Sequence, residues 1–196
     1  FAGNISKPKI SKIKLDLKGI YYMPRIIKAS KLGDAAILKE LIKILAEHKV
    51  KVLKLNFYNP ELTISKGCYT KLQPSKYEIL EINKGIAYLN KLNAHNHTQA
   101  IILRNGNVVA KETSKGTKKM LQILKKTKNF KGILIKHPKK KQDLRADLPT
   151  IGIDTLKDCK MAKIKGIVLK SNENIILDKS KCINFANKNK IFIKII

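Results

Sequence analysis

Tryptophan is absent from the 196-residue chain, and aromatic residues make up only 6% of it. The few aromatics are not interleaved with basic residues, which argues against a base-stacking platform of the RRM kind. Cysteine is scarce as well. Cys68, Cys159 and Cys182 lie far apart, without CxxC or Cys/His spacing, so neither a disulfide framework nor a structural zinc site is expected. They fit a reducing compartment as scattered small apolar residues. No uninterrupted apolar stretch is long enough for a membrane span. The patterns GxGxxG, GxSxG and GxxxxGK[ST] are missing, which leaves no dinucleotide fingerprint, serine nucleophile elbow or Walker loop.

Negative charge is the next shortage: 14 acidic residues face 42 basic ones, a net charge of +28. A chain of this charge meets anions, and the candidates are nucleic acid, an anionic membrane surface or a phosphorylated substrate. Arginine is nearly lacking too, with only Arg25, Arg104 and Arg145. Base readout and bidentate phosphate clamps favour arginine, so an almost pure lysine charge spread from Lys7 to Lys194 does not by itself select nucleic acid. Abundant Lys, Asn and Ile also fit an AT-rich coding bias acting on tolerant surface positions. The hydrophobic content, 43%, is that of a globular chain and not of a disordered one.

The opening, Phe1-Ala2-Gly3-Asn4, has neither a methionine nor a signal-peptide pattern and reads as an internal piece of a longer chain. Residues 7–18 read as a linker or surface arm, and 19–32 as a short helical or turn segment around Pro24. From Asp34, a plausible N-cap, Ala36, Ile37, Leu41, Ile44 and Leu45 recur at helical spacing to about Lys49. KVLKLN at 51–56 alternates as a strand, and 55–72, with Pro60 and Gly67, reads as loop. Ser75 and Glu78 form a capping box for a helix over 75–92. Asn105-Gly106 between apolar runs at 99–103 and 107–111 is a hairpin signal.

Beyond it, helices are expected near 115–127, 154–163 and 180–188, with strands at 132–136, 166–170, 174–178 and 190–195. The fold class is α/β, a mixed sheet with helices packed on it.

Chemistry concentrates in the segment Lys136-His137-Pro138 to Thr150, which follows an apolar strand, where open α/β sheets place ligands. Two of the few acids, Asp143 and Asp147, sit four apart there with Arg145 between them. In an extended chain they would be roughly 13 Å apart, but in a helical turn about 5–6 Å between Cβ atoms. Joint ligation of one cation therefore requires a turn. One reading is Mg²⁺ held by carboxylates with lysines neutralising phosphate. The other is a solvated charged loop in which an aspartate pairs with Arg145. Lys115-Gly116-Thr117 opens a helix and could present N–H groups and a hydroxyl to an anion. His95 and His97 have no nearby acidic or Cys partner in sequence and read as a loop pair.

KKKQDLRADLPTIGIDTLKDC at 139–159 resembles the signature Q-D-x-R-x-D-x-P-x-[IV]-G-x-x-T of the bacterial UDP-2,3-diacylglucosamine pyrophosphatases of lipid A biosynthesis. Phe1-Ala2-Gly3, Met23-Pro24-Arg25, Leu32-Gly33-Asp34, Gln99-Ala100, Gly116-Thr117 and the closing KIFIKI are similar to further family segments and fall in family order. The resemblance implies a two-domain enzyme with lipid substrate between an N-terminal nucleotide-sugar domain and a C-terminal α/β domain. Residues 1–32 would be a remnant of the first domain and a linker, and 33–196 the second. It implies Mg²⁺-dependent attack of water on the pyrophosphate, giving UMP and 2,3-diacylglucosamine 1-phosphate.

By the same resemblance Asp143 and Asp147 hold the metal or activate water. Gln142 and Arg145 are their polar partners or contact the substrate, and Thr117, Gln99, Lys136 and Asp34 are further substrate-binding candidates. The implied partners are a lipid-linked UDP-sugar, an anionic membrane surface and the missing N-terminal domain, with a homodimer as a further candidate assembly and nucleic acid not favoured. The implied location is cytoplasmic, peripheral at the inner membrane. The family's E-G-T-D reads Lys115-Gly116-Thr117-Lys118 here, and reversing two acids would impair cation binding at close range. The alternatives are a non-catalytic basic nucleic-acid-binding module and an inactive remnant.

Overall fold

In the computed structural model, residues 13–92, 98–124, 131–140 and 142–196 are described, apart from the side chain of Asp34. They form two compact units. The first comprises the described residues up to Leu55 together with Asp143–Asp147, and the second comprises Asn56–Gln142 and Leu148–Ile196.

The first unit is built on two helices, α1 (Leu17–Ser30) and α2 (Asp34–Glu47), which pack together. Asp16 caps α1 by accepting the Gly19 N–H at 2.7 Å. Pro24 lies inside α1, so the short segment expected at 19–32 is a full 14-residue helix. The proline removes one backbone bond, and the next residue, Arg25, ties α1 to α2. Arg25 Nε donates to Glu40 Oε1 at 2.7 Å, and its Nη1 and Nη2 donate to both Glu47 oxygens at 2.8 and 2.6 Å. Gly33, at φ +102°, is the cap position of α2, and Asp34 is its first helical residue rather than its cap. The strand expected at 51–56 is absent: 51–54 have no regular structure, and Leu55 opens a one-turn helix, α3 (Leu55–Tyr58). Alternation alone does not make a strand where no neighbouring strand satisfies its backbone groups.

The loop expected over 55–72 holds α3, a 3₁₀ turn at Pro60–Leu62 and β1 (Gly67–Cys68). The capping box forms as the sequence indicates. Ser75 N–H donates to Glu78 at 2.6 Å, Glu78 N–H donates to Ser75 Oγ at 3.3 Å, and α4 runs Lys76–Lys91. The hairpin forms too. β2 (Ala100–Arg104) and β3 (Asn107–Lys111) are joined by Asn105 and Gly106 at φ +51° and +74°, the two positive values that a primed two-residue turn requires. The rest follows in the expected order, α5 (Gly116–Leu124), β4 (Gly132–Lys136), β5 (Thr150–Ile151), α6 (Ile153–Met161), β6 (Ile164–Leu169), β7 (Ile175–Ile176), α7 (Lys179–Lys188) and β8 (Phe192–Ile195), except that β5 is a short strand within 137–153, which reads as a polar loop in the sequence.

Six strands make one mixed sheet in the order β1-β8-β6-β4-β2-β3. β4, β6 and β8 are parallel, and β1, β2 and β3 join antiparallel. β5 and β7 form a separate parallel pair. The central strands are apolar on both faces and divide their side chains with period two. Ile102, Leu134, Ile167 and Ile193 join Leu121, Leu156 and Cys182 of α5, α6 and α7 in one core. Ile101, Ile133, Val168 and Phe192 join Ile82 and Leu89 of α4 in the other. The result is the α/β class expected, helices on both faces of a mixed sheet.

Candidate active site

β4, β6 and β8 point the same way, so their carboxyl ends gather at one edge of the sheet, the side on which α/β folds place ligands. Lys136, the last residue of β4, is buried, and its Nζ donates to Thr117 Oγ1 at 3.1 Å and to the Thr150 carbonyl at 3.4 Å. Thr117, in the first turn of α5, donates in turn to Glu112 Oε1 at 2.7 Å. The second oxygen of Glu112 accepts the Gln99 N–H at 3.2 Å. Glu112 is 5% exposed. A buried carboxylate and a buried ammonium are thus joined through one hydroxyl, the arrangement that makes burial of both tolerable.

Asn174 ties neighbouring strand ends together. Its Oδ1 accepts the Lys170 N–H at 2.9 Å, and its Nδ2 donates to the carbonyls of Lys136 and Pro149 at 3.2 and 3.3 Å. His137 follows Lys136, and its N–H donates to the Gln99 carbonyl at 2.9 Å. Two polar atoms at this edge, Gln99 Oε1 and His137 Nε2, are buried without a hydrogen-bond partner among the described residues. Burial, helped by the charge of Lys170, pushes His137 down to about 4, so its imidazole is neutral at pH 7. Lys136, Thr117 and Gln99 are among the candidates that the sequence offers, and the structure gathers all three here. Sequence reasoning missed Glu112 and Asn174. The signal for Glu112 was the rarity of acids in this chain and its place at the end of a hairpin strand; for Asn174 there was none, since its partners are backbone groups distant in sequence.

In the first unit, Asp143–Asp147 forms a turn, because the Ala146 and Asp147 N–H groups both donate to the Asp143 carbonyl, at 3.1 and 3.0 Å. Both aspartates are therefore brought within a helical turn of one another. Asp143 also pairs with Arg145: Nε and Nη2 donate to Oδ1 and Oδ2 at 2.9 and 2.7 Å, and the Arg145 N–H adds a bond of 3.0 Å. The guanidinium beside it holds the Asp143 carboxyl below the usual carboxylate range, with Lys39 contributing. No hydrogen bond or ion pair reaches the Asp147 side chain among the described residues. The turn that joint ligation would require is thus present, and Asp143 is paired with Arg145 as the charged-loop reading expects.

Gln142, in the second unit, accepts the Lys139 N–H at 2.9 Å on its Oε1. Asp34's side chain and the His95/His97 pair lie outside the described residues.

Among the described residues, no group of three His, Cys, Asp or Glu side chains could hold a metal ion. Mg²⁺ does not need such a cage, since one or two carboxylates with waters and substrate phosphates usually complete its shell. The 143–147 turn has that donor set in type and number. Among the described residues no helix is long and apolar enough to cross a membrane.

Comparison with known proteins gives a consistent result. The family model of the LpxI C-terminal domain matches residues 65–194, and that of the LpxI N-terminal domain matches residues 1–62. The chain is similar to the UDP-2,3-diacylglucosamine pyrophosphatase LpxI of Caulobacter vibrioides, with 27% identity over 98% of this chain and 72% of that protein.

Proposed function

The chain belongs to the LpxI family, and on that premise we propose that it hydrolyses the pyrophosphate bond of UDP-2,3-diacylglucosamine, giving UMP and 2,3-diacylglucosamine 1-phosphate in lipid A biosynthesis. The observation that carries this reading is the similarity to a pyrophosphatase of that name along 98% of the chain. The folded 143–147 turn supports it from the side of chemistry. Asp143 and Asp147 would hold Mg²⁺, which supplies charge neutralisation at phosphate oxygens and a more acidic bound water. Arg145 fixes the rotamer of Asp143 through two bonds, so that one carboxylate of the turn is already oriented. Asp147, unengaged by donors among the described residues, is the group available to a metal or a water.

In the second unit, Lys136 and Glu112 hold the Thr117 hydroxyl between them. This fixes the start of α5, whose N–H groups suit an anionic oxygen. Thr117, Gln99 and Lys136 are assigned to substrate binding on that basis. Gln142, Arg145 and Asp34 are assigned to it on the family resemblance alone. Lys115 and Lys118 are exposed, so the two reversed charges act from the solvent side of that helix start, where screening weakens them. The protein would work on the cytoplasmic side, on a substrate held by its own acyl chains in the membrane.

The test is UMP release from UDP-2,3-diacylglucosamine with and without Mg²⁺. Magnesium-dependent release that falls at least about 100-fold in Asp147→Ala, with an unchanged circular dichroism spectrum, is the expected result. Full activity in that variant would overturn the role of Asp147. A folded wild-type chain that releases no UMP at any Mg²⁺ concentration would overturn the reaction itself.

A further inference from the structure

A threonine hydroxyl has one proton to donate and two lone pairs to offer, and the neighbours of Thr117 fix how they are used. Glu112 is a carboxylate, which only accepts, and its Oε1 lies 2.7 Å from Thr117 Oγ1. Lys136 is an ammonium, which only donates, and its Nζ lies 3.1 Å from the same oxygen. The proton is therefore spent on Glu112 and one lone pair on Lys136. One lone pair remains, without a partner among the described residues. Burial keeps water from scrambling this order, since Glu112, Lys136 and Thr117 are 5%, 7% and 8% exposed. Glu112 is itself held on both sides: its Oε2 accepts the Gln99 N–H at 3.2 Å, and its own N–H donates to the Ala100 carbonyl at 2.8 Å.

We propose that Glu112 is a positioning residue of the substrate site, turning the Thr117 hydroxyl so that this oxygen meets the ligand only as an acceptor. The group it takes is then a neutral donor, a sugar hydroxyl or an amide-type N–H, and not a deprotonated phosphate oxygen. This reverses the expectation that the hydroxyl helps the N–H groups of α5 to hold an anion. Phosphate is left to those N–H groups, and Thr117 reads an uncharged part of the same molecule. The inference rests on the assignment of this edge to substrate binding. The substrate proposed above carries such donors on both sides of its pyrophosphate, on the nucleoside and on the glucosamine.

Glu112→Gln tests the role of the carboxylate, because it keeps the shape and removes one acceptor. The amide has to turn its NH2 either to the Gln99 N–H or to Thr117. A backbone N–H cannot turn away and a hydroxyl can, so the NH2 goes to Thr117, whose proton swings out toward the ligand. In protein carrying isotope-labelled threonine, the wild-type Thr117 hydroxyl proton gives a slowly exchanging NMR resonance, assigned by its loss in Thr117→Val. In Glu112→Gln that resonance is lost to exchange. Titration calorimetry with UMP and with glucosamine 1-phosphate then shows which half of the substrate supplies the donor. Thr117→Val and Glu112→Gln each weaken the same one of these probes at least about fivefold. Because Glu112 acts through Thr117, the double variant binds that probe no more weakly than Thr117→Val alone.

A wild-type hydroxyl proton that exchanges freely, a Glu112→Gln variant that binds both probes like the wild type, or losses that add in the double variant would each overturn the proposal. So would a wild-type chain that binds neither probe. If Glu112→Gln does not fold, Thr117→Ser and Thr117→Val decide. Serine keeps the affinity and valine loses it, and equal affinity in the two would overturn the proposal. None of these readouts requires turnover, so their failure is distinct from a failure of the UMP-release assay, which tests the hydrolysis itself.

Discussion

His137 is 7% exposed, its Nε2 has no hydrogen-bond partner among the described residues, and burial, helped by the charge of Lys170, opposes its protonation. Its folded-state value, about 4, lies below the ordinary 6.5, so between those pH values the unfolded chain binds more protons than the folded one. Stability therefore rises with pH through that window and is lost on acidification. For this one group the loss between pH 7 and pH 5 comes to about 2 kcal/mol. Urea unfolding of the wild type at both pH values, beside His137→Gln, measures it. The variant, which cannot titrate there, loses about 2 kcal/mol less than the wild type over the same interval. An identical pH dependence in the two proteins would show that His137 is solvated in the native state.

At this scale the sequence was informative where composition made a residue conspicuous. Asp143, Arg145 and Asp147 stood out because acids and arginines are rare, and they fold into one turn. Glu112 and Asn174 did not stand out. Their partners lie at Gln99, Lys136 and Pro149, and no local pattern encodes contacts that depend on which strands become neighbours.

Among the elements, α4 shows how closely a helix can approach a sheet. A Cβ added at Gly85 would lie 2.5 Å from Leu103 Cδ1 and 2.6 Å from Ile135 Cδ1, both in side chains that are at most 1% exposed. Alanine is favoured over glycine in a helix by about 1 kcal/mol, but overpacking a filled core costs about 1–3 kcal/mol. Because neither strand residue has room to retreat, the steric term wins. Gly85→Ala is expected to lower the thermal midpoint by several degrees, which scanning calorimetry would detect. A raised midpoint would mean that α4 lifts from the sheet without cost.

The elements legible in advance were those specified by contacts close in sequence. The Ser75–Glu78 box spans one helical turn, and the Asn105-Gly106 hairpin is set by two backbone angles. The segment at 51–56 failed because its alternating pattern had no strand to pair with. The helix at 17–30 was underestimated because Pro24 is a local breaker, whereas Arg25 to Glu40 and Glu47 are ties across 15 and 22 positions. Strand order was not legible at all, since β8 lies between β1 and β6 through register that only the folded sheet defines.

For the whole molecule the deciding quantity is the imbalance of 42 bases over 14 acids. Several acids are already engaged: Glu40 and Glu47 with Arg25, Glu78 with Lys165 at 2.7 Å, and Glu173 with Lys170 at 2.8 Å. Exposed pairs of this kind contribute little each, and salt weakens them. Added salt equally weakens the repulsion among unpaired lysines, and these outnumber the pairs because there are too few acids to match them. Compacting the chain brings those lysines closer than they are when it is unfolded, so repulsion acts against the native state.

At an ionic strength of about 0.01 M the screening length is about 30 Å, long enough for most lysines to interact within either unit; at about 0.15 M it is about 8 Å. Raising sodium chloride between those limits should therefore raise the thermal midpoint, by a few degrees for each kcal/mol of repulsion removed. Chloride is the salt to use, because sulfate and phosphate stabilise by exclusion from any protein surface. A midpoint that falls with chloride would mean that the arginine and lysine pairs to the few acids outweigh the excess of positive charge. The lysines would then be spaced widely enough to be neutral passengers of composition. A midpoint that climbs would identify the charge as a cost to folding, one that an anionic partner or surface would relieve on contact.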